Sequence, residues 1–215
     1  MRRKDREMDE TFALALIDRA DFGVLSVNDL ESPMSVPLSI VRDGEDLYFH
    51  SAREGRKVEL FKEGTLATIV FVGHVEVPNL FSEEILVKIA QDESQFYKLI
   101  SSVFTTEFES TIVTGPLFEV TVDADKEQAL RLICQKYTPD KMRFFDLAIQ
   151  SGMHRTRVYR LRIEHVSAKR KKYAKDGREL KFMARDEDWV GLVARWDTGD
   201  IDKKDTGDID KKDAG

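Results

Sequence analysis

Between residues 22 and 51 the chain packs three strand patterns together with turns of only a few residues between them. Phe22 to Val27 reads as a strand, Asn28 to Pro33 as a turn and Met34 to Val41 as a second strand. Arg42 to Asp46 is a tight turn carrying the hairpin signal Asp43-Gly44, and Leu47 to Ser51 returns as a third strand. Parallel neighbours need a crossover of about a dozen residues or more, so turns this short call for antiparallel pairing. Pro37 cannot donate to a ladder, which puts its strand at an edge, at a bulge or where something other than a strand meets the backbone.

The rest of the chain fits that frame. Thr65 to Val77 is rich in β-branched residues and reads as a long strand. Ser110 to Val122 reads as a strand interrupted at Gly115-Pro116. Arg155 to Val166 alternates, with Tyr159, Leu161 and Ile163 on one face and Arg160, Arg162 and Glu164 on the other. Helical patterns are inserted between the strands. One covers residues 9–20, with Asp9 as N-cap and a stripe of Phe12, Ala15, Leu16 and Arg19. Gly55 to Lys62 is a short helix ended by Gly64. Phe81 to Val103 is helical and split near Asp92 to Ser94, Asp123 opens a helix with Leu130, Ile133 and Cys134 in its stripe, and Pro139 to Ile149 forms another. Strands do not alternate regularly with long helices, which disfavours a doubly wound parallel sheet. The expected class is mainly β, a closed or split antiparallel barrel with inserted helices.

A chain of 215 residues is long enough for one domain with a sizeable core. Its formal net charge of −6 disfavours nucleic acid as a partner. No apolar run approaches the ~20 residues of a membrane span. The charged opening Met1 to Glu7 leads into no signal-peptide core, so a cytoplasmic protein is expected. Cys134, the single cysteine, reads as a buried structural thiol. Residues 180–196 are weakly patterned. The octapeptide from Thr198 to Asp205 then repeats from Thr206 to Asp213, and this acidic stretch has too little apolar surface to order itself. The expected organisation is a domain over 1–172 with a helical insertion at about 81–103, an extension over 173–196 and a disordered tail over 197–215.

Dinucleotide, P-loop and GxSxG motifs are absent, and no metal-ligand spacing links His50, His74, His154, His165 and Cys134, so no metal site is expected. What remains is the run Tyr48-Phe-His-Ser-Ala-Arg-Glu-Gly-Arg-Lys57, where a strand breaks and a helix opens. Arg53, Arg56 and Lys57 collect at that helix start, where unpaired backbone N–H groups also favour an anion. Arg56 suits bidentate contact with phosphate, Lys57 acts as a mobile charge, Gly55 admits a close approach and Ser51 offers a hydroxyl. The same run also reads as a solvated charge run balanced by Glu54 and Glu59. His50, at the strand end, reads as a structural hydrogen-bonder or as a group facing a bound ring. The basic run Lys169 to Lys172 reads as a solvated face or flexible exit.

Three blocks carry a resemblance: Gly23-Val-Leu-Ser26, Val36-Pro-Leu-Ser39 and Leu47 to Lys57. Together they resemble the pyridoxamine 5′-phosphate oxidase-like FMN-binding split barrels, in particular the Nim-type branch linked to 5-nitroimidazole resistance. Met1 to Glu7, Phe104 to Ser110 and Arg162 to Val166 are similar to other parts of that branch. The resemblance implies a six-stranded antiparallel Greek-key split barrel and a homodimer with FMN at the subunit interface. By the same resemblance, Val36, Pro37, Leu38 and Ser39 lie along the flavin ring. His50, Ser51, Arg53, Gly55, Arg56 and Lys57 bind from the ring toward the phosphate. Thr105, Thr106 and Ser110 approach from the partner subunit, and His50 is the implied catalytic group. Ser39 stands where the branch often has Asn. An FMN-dependent oxidoreductase acting on a small nitroaromatic-like acceptor is therefore expected. The alternatives are a flavin-storing or redox-sensing dimer, and a barrel that holds haem or deazaflavin.

Overall fold

The computed structural model describes residues 3–29 and 32–182. The expected tail over 197–215 and most of the expected extension lie outside the described residues. Nine strands form one sheet among the described residues, with β3-β2-β6-β7-β8-β5-β4 as its main path and β9 and β1 branching from β7. The strands are β1 (Glu7–Met8), β2 (Gly23–Val27), β3 (Met34–Leu38), β4 (Val41–Asp43), β5 (Asp46–Ala52), β6 (Leu66–Glu76), β7 (Glu107–Glu119), β8 (Thr156–Arg162) and β9 (His165–Lys171). Every pairing is antiparallel, and the path ends at β3 and β4 without closing. The helices are α1 (Glu10–Arg19), α2 (Arg56–Leu60), α3 (Glu83–Ala90), α4 (Asp123–Tyr137) and α5 (Phe145–Gly152). This is the expected mainly β class, with more strands than six because the short β1 and β4 and the basic β9 join the sheet.

Local chemistry explains several elements. Asp9 caps α1 by accepting from the Phe12 N–H at 2.8 Å. The buried stripe of α1 is Ala13, Leu16, Ile17 and Ala20, displaced from the expected one, and Ala15 is exposed. Leu16 fits because Gly73 has no side chain: a Cβ there would stand 2.6 Å from Leu16 Cδ1. The helical span after Phe81 is broken into α3, a 3₁₀ turn at Glu93–Gln95 and a π turn at Leu99–Val103. Asp92 accepts from the Ser94 N–H at 3.0 Å and so starts the second piece. Pro139 to Ile149 is likewise two pieces, a 3₁₀ turn Pro139–Phe144 and then α5. Cys134 is half-buried.

Three strand expectations need correction. Arg155 to Val166 is not one strand: β8 ends at Arg162, the chain turns at Ile163 and Glu164, and Val166 belongs to β9. Met34 to Val41 is two strands, not one: β3 pairs with β2, whereas β4 pairs with β5 across the sheet. The chain crosses at Ser39 and Ile40, where no ladder serves the Ile40 backbone. The Tyr137 hydroxyl accepts from the Ile40 N–H and donates to the Ile40 carbonyl, both at 2.8 Å, and Lys136 Nζ adds a bond to that carbonyl at 2.9 Å. Ser110 to Val122 is also redrawn. β7 starts at Glu107 and runs through Gly115-Pro116 unbroken, but it changes partners there, from β9 up to Thr114 to β8 from Leu117.

The basic run Lys169 to Lys172 is not a flexible exit. Lys169 to Lys171 lie in β9 between β7 and β1, and Arg170 reaches Glu109 at 3.1 Å. The chain then folds back: Tyr173 is buried, bridges to Glu179, and Glu179 meets Arg6 at 2.6 Å. One compact unit continues through Phe182. Its main core joins Leu25, Val27, Leu38, Leu47, Phe49, Phe61, Ile69, Phe71, Leu117, Tyr159 and Leu161. A second cluster, Ala129, Leu130, Phe145 and Val158, seats α4 and α5 on the other face of β5 and β8. Among the described residues no helix is long and apolar enough to cross a membrane.

Candidate functional site

Strand periodicity decides what the β5 end presents. Leu47, Phe49 and Ser51 face the core, while Tyr48, His50 and Ala52 face outward. Ser51 is therefore turned away from solvent, and its hydroxyl donates to the Ala52 carbonyl at 2.8 Å. This corrects the expectation that Ser51 offers its hydroxyl to an anion. His50 is exposed and pairs in register with Val158 of β8.

The chain leaves β5 through Arg53 and Glu54 and turns at Gly55, whose φ of 107° lies in the region that a side chain strains. α2 then runs for five residues. So short a helix contributes little dipole, and an anion here depends on side-chain cations. The three cations behave differently. Arg53 Nη1 donates to the His154 carbonyl at 2.9 Å. Arg56 closes a salt bridge with Asp29, its Nε donating to Oδ2 at 3.0 Å and its Nη2 donating to the same oxygen. Lys57 forms no ion pair among the described residues and lies close enough to His50 to act on its charge.

Asp29 is the residue that sequence reading missed. It follows β2, and its side chain is only 12% exposed. The contact joins the β2–β3 turn to the β5–α2 turn, so the loop carrying Arg56 is tied to the hairpin carrying Val36 to Ser39. Asp29 was readable only as a turn residue, since nothing local marks a partner 27 residues away.

β3 lies at the open edge of the sheet, with β2 on one side and, among the described residues, no strand on the other. Val36 and Leu38 turn inward toward the core cluster, while Pro37 and Ser39 are exposed. An edge location removes the difficulty of a proline in a strand. Thr105, Thr106 and Ser110 lie elsewhere. Thr105 accepts from Lys171 Nζ and stands 3.3 Å from the Tyr173 hydroxyl, Thr106 is exposed, and Ser110 sits in β7 opposite Val72 and Lys169. Within one chain these three are set among β6, β9 and the Tyr173 turn. The 50–57 loop lines neither of two cavities of about 300 and 400 Å³, which lie beside Tyr48 and Arg160 and beside His74 and Glu107.

His50 carries the clearest electrostatic signature. Crowding by the surrounding protein, and then the Lys57 cation, hold its imidazole below the ordinary histidine value. This favours the neutral ring, which accepts through one nitrogen and donates through the other. The unfolded chain binds this proton more readily than the folded one. Stability is thus unaffected by His50 above about pH 6.5 and falls as pH drops from there toward the folded pKa. Urea midpoints measured from pH 7.5 to 5 are expected to decline more steeply for the native chain than for His50→Gln. Parallel curves would contradict this assignment.

The family model described as pyridoxamine 5′-phosphate oxidase matches residues 9–170. No curated protein matches the sequence. Among solved structures, the chain is similar to the FAD and haem binding protein from Mycobacterium smegmatis (TM-score 0.62, 13% identity, covering 87% of this chain and 80% of that one). It is similar to the flavocytochrome Anf3 from Azotobacter vinelandii (TM-score 0.59, 16% identity, 85% and 73% covered). A candidate 5-nitroimidazole antibiotic resistance protein from Bacteroides thetaiotaomicron also matches (TM-score 0.55, 21% identity, 75% and 83% covered). At these identities the likeness shows a shared fold.

Proposed function

The chain belongs to the pyridoxamine 5′-phosphate oxidase family, and from that premise we propose that it is an FMN-binding homodimer that delivers flavin electrons to a small nitroimidazole- or nitroaromatic-like acceptor. The observation that carries this reading is the convergence at one end of β5. Lys57 without an ion pair among the described residues, Arg56 fixed by Asp29 and a His50 held toward its neutral form lie together, tied to the hairpin whose open edge exposes Pro37 and Ser39. Relatives of the same fold are described as binding FAD and haem or as a flavocytochrome, which supports a flavin.

In this reading Arg56 and Lys57 hold the terminal phosphate, and Gly55 lets the backbone approach it. Arg56 keeps its Nε edge on Asp29 and turns Nη1 toward the anion. Arg53 supports the loop through the His154 carbonyl. The β3 edge, Val36 to Ser39, lines the ring with backbone groups that no strand occupies. Thr105, Thr106 and Ser110 reach the ring from a second copy, since one chain sets them among other elements. The exposed Ile100 and Phe104, each 79% exposed, supply apolar surface for that copy to cover beside Thr105. Bound flavin supplies the redox chemistry. His50 holds a proton-accepting nitrogen on the outer face of β5 and orients an acceptor there.

A test follows from anaerobic reduction. Flavin-loaded protein, photoreduced and then mixed with a 5-nitroimidazole, other nitroaromatics and quinones, is expected to reoxidise fastest with a nitro acceptor. Retention of reduced flavin with every acceptor would contradict the oxidoreductase reading. It would favour a flavin-holding or redox-sensing dimer, a reading supported by the lack of any proton relay beyond His50 among the described residues of the loop.

A further inference from the structure

The ladder between β6 and β7 assembles a set of ligands that sequence spacing conceals. His74 and Glu76 are two residues apart on β6, and Glu76 pairs directly with Glu107 of β7. The register between β6 and β7 shifts between Val72 and Val75, in the stretch that contains His74. One donor atom from each of His74, Glu76 and Glu107 lies within 4.8 Å of the other two. His74 Nε2 and Glu76 Oε2 are 2.9 Å apart. These residues line a cavity of about 400 Å³.

Two observations set the cluster apart from surface carboxylates. Glu107 is only 7% exposed, and its Oε1 accepts from the Tyr173 N–H at 2.7 Å, which fixes the carboxylate in place. Like charges directly opposite each other across a ladder repel, and burial of one strengthens the repulsion. The nearby cations do not answer it: Arg170 is paired with Glu109, Lys171 Nζ is on the Thr105 hydroxyl, and Lys172 is exposed. Among the described residues no Lys or Arg forms a salt bridge with Glu76 or Glu107.

We propose that His74, Glu76 and Glu107 form a binding site for a divalent first-row transition ion. Ligands at about 2.1 Å from a tetrahedral ion stand about 3.4 Å apart, so only small turns of the exposed His74 and Glu76 side chains close the site onto the fixed Glu107. One imidazole and two carboxylates suit Zn²⁺ or Mn²⁺, and the imidazole disfavours Mg²⁺ and Ca²⁺. Three protein donors leave a position for water. The ion neutralises the Glu76–Glu107 pair and ties the end of β6 to the start of β7.

Calorimetric titration of the chelator-treated, full-length protein with ZnCl₂, MnCl₂ and MgCl₂ tests this. The expected result is one Zn²⁺ or Mn²⁺ per chain, with at least tenfold weaker binding in His74→Ala and in Glu107→Gln, and unchanged binding in His165→Ala. His74 is exposed, so His74→Ala reports on the ligand set even if Glu107→Gln disturbs folding. No binding at about 100 µM metal, equal affinity for Mg²⁺, or unchanged affinity in His74→Ala would each overturn the proposal.

Discussion

Flavin affinity is expected to fall about 10²- to 10³-fold when Arg56 and Lys57 are both replaced by alanine. Hydrogen bonds to a charged partner contribute about 1.5–3 kcal/mol each, and the pair together about 3–4 kcal/mol, which corresponds to that change in Kd. Arg56 has a further effect. Its guanidinium bonds to Asp29, so Arg56→Ala also removes the contact that ties this loop to the β2–β3 turn. Arg53→Ala is expected to lose less, about tenfold or below, because Arg53 is directed at the His154 carbonyl. Fluorescence titration with FMN separates the three. Equal affinity in the double variant and the native chain would contradict the phosphate assignment.

Gly115→Ala is expected to cost about 3 kcal/mol or more, with a fall in Tm of about 6–12 °C. A Cβ at residue 115 would lie 1.7 Å from the Arg162 carbonyl oxygen and 3.2 Å from Leu161 Cδ2. Arg162 cannot give way cheaply, because it pairs with Asp46 of β5, and β8 is held along its length by the same strand. The substitution therefore strains the point where β7 passes from β9 to β8, on which both halves of the sheet depend. Gly152→Ala is the control: a Cβ there meets nothing within 4 Å, and its expected effect is within about 0.5 kcal/mol. Equal denaturation midpoints for the two variants would remove Gly115 from its proposed role.

The features legible in the sequence were local ones. Asp9 caps the helix it was expected to cap, and the expected hairpin turns within one residue of the Asp43-Gly44 signal: Asp43 ends β4, and Gly44, at φ 59°, and Glu45 form the loop. Pro37 was readable as an edge, a bulge or a place where something other than a strand meets the backbone, and β3 ends the sheet path. What the sequence hid depends on partners distant along the chain. The break at Ser39-Ile40 is held by Lys136 and Tyr137, 96 and 97 residues from Ile40. The run Lys169 to Lys172 read as a solvated face or flexible exit because charge dominates it, yet Glu109 and the Phe12 ring receive Arg170.

The site was divided in the same way. Arg53, Gly55, Arg56 and Lys57 were readable as a run, but the different fates of the three cations were not, because a carbonyl from residue 154 and a carboxylate from residue 29 decide them. The His74, Glu76 and Glu107 cluster shares no motif spacing. Strand register, not sequence distance, brings it together.

The central claim, that this chain holds a flavin through the loop after β5, is tested most directly by the visible spectrum of the purified protein, with mass measurement of the ligand released on denaturation. The expected result is an oxidised-flavin spectrum and a released mass equal to FMN, at one flavin per chain. A haem Soret band alone, a deazaflavin mass, or a colourless protein that takes up neither FMN nor FAD when supplied with them would contradict it.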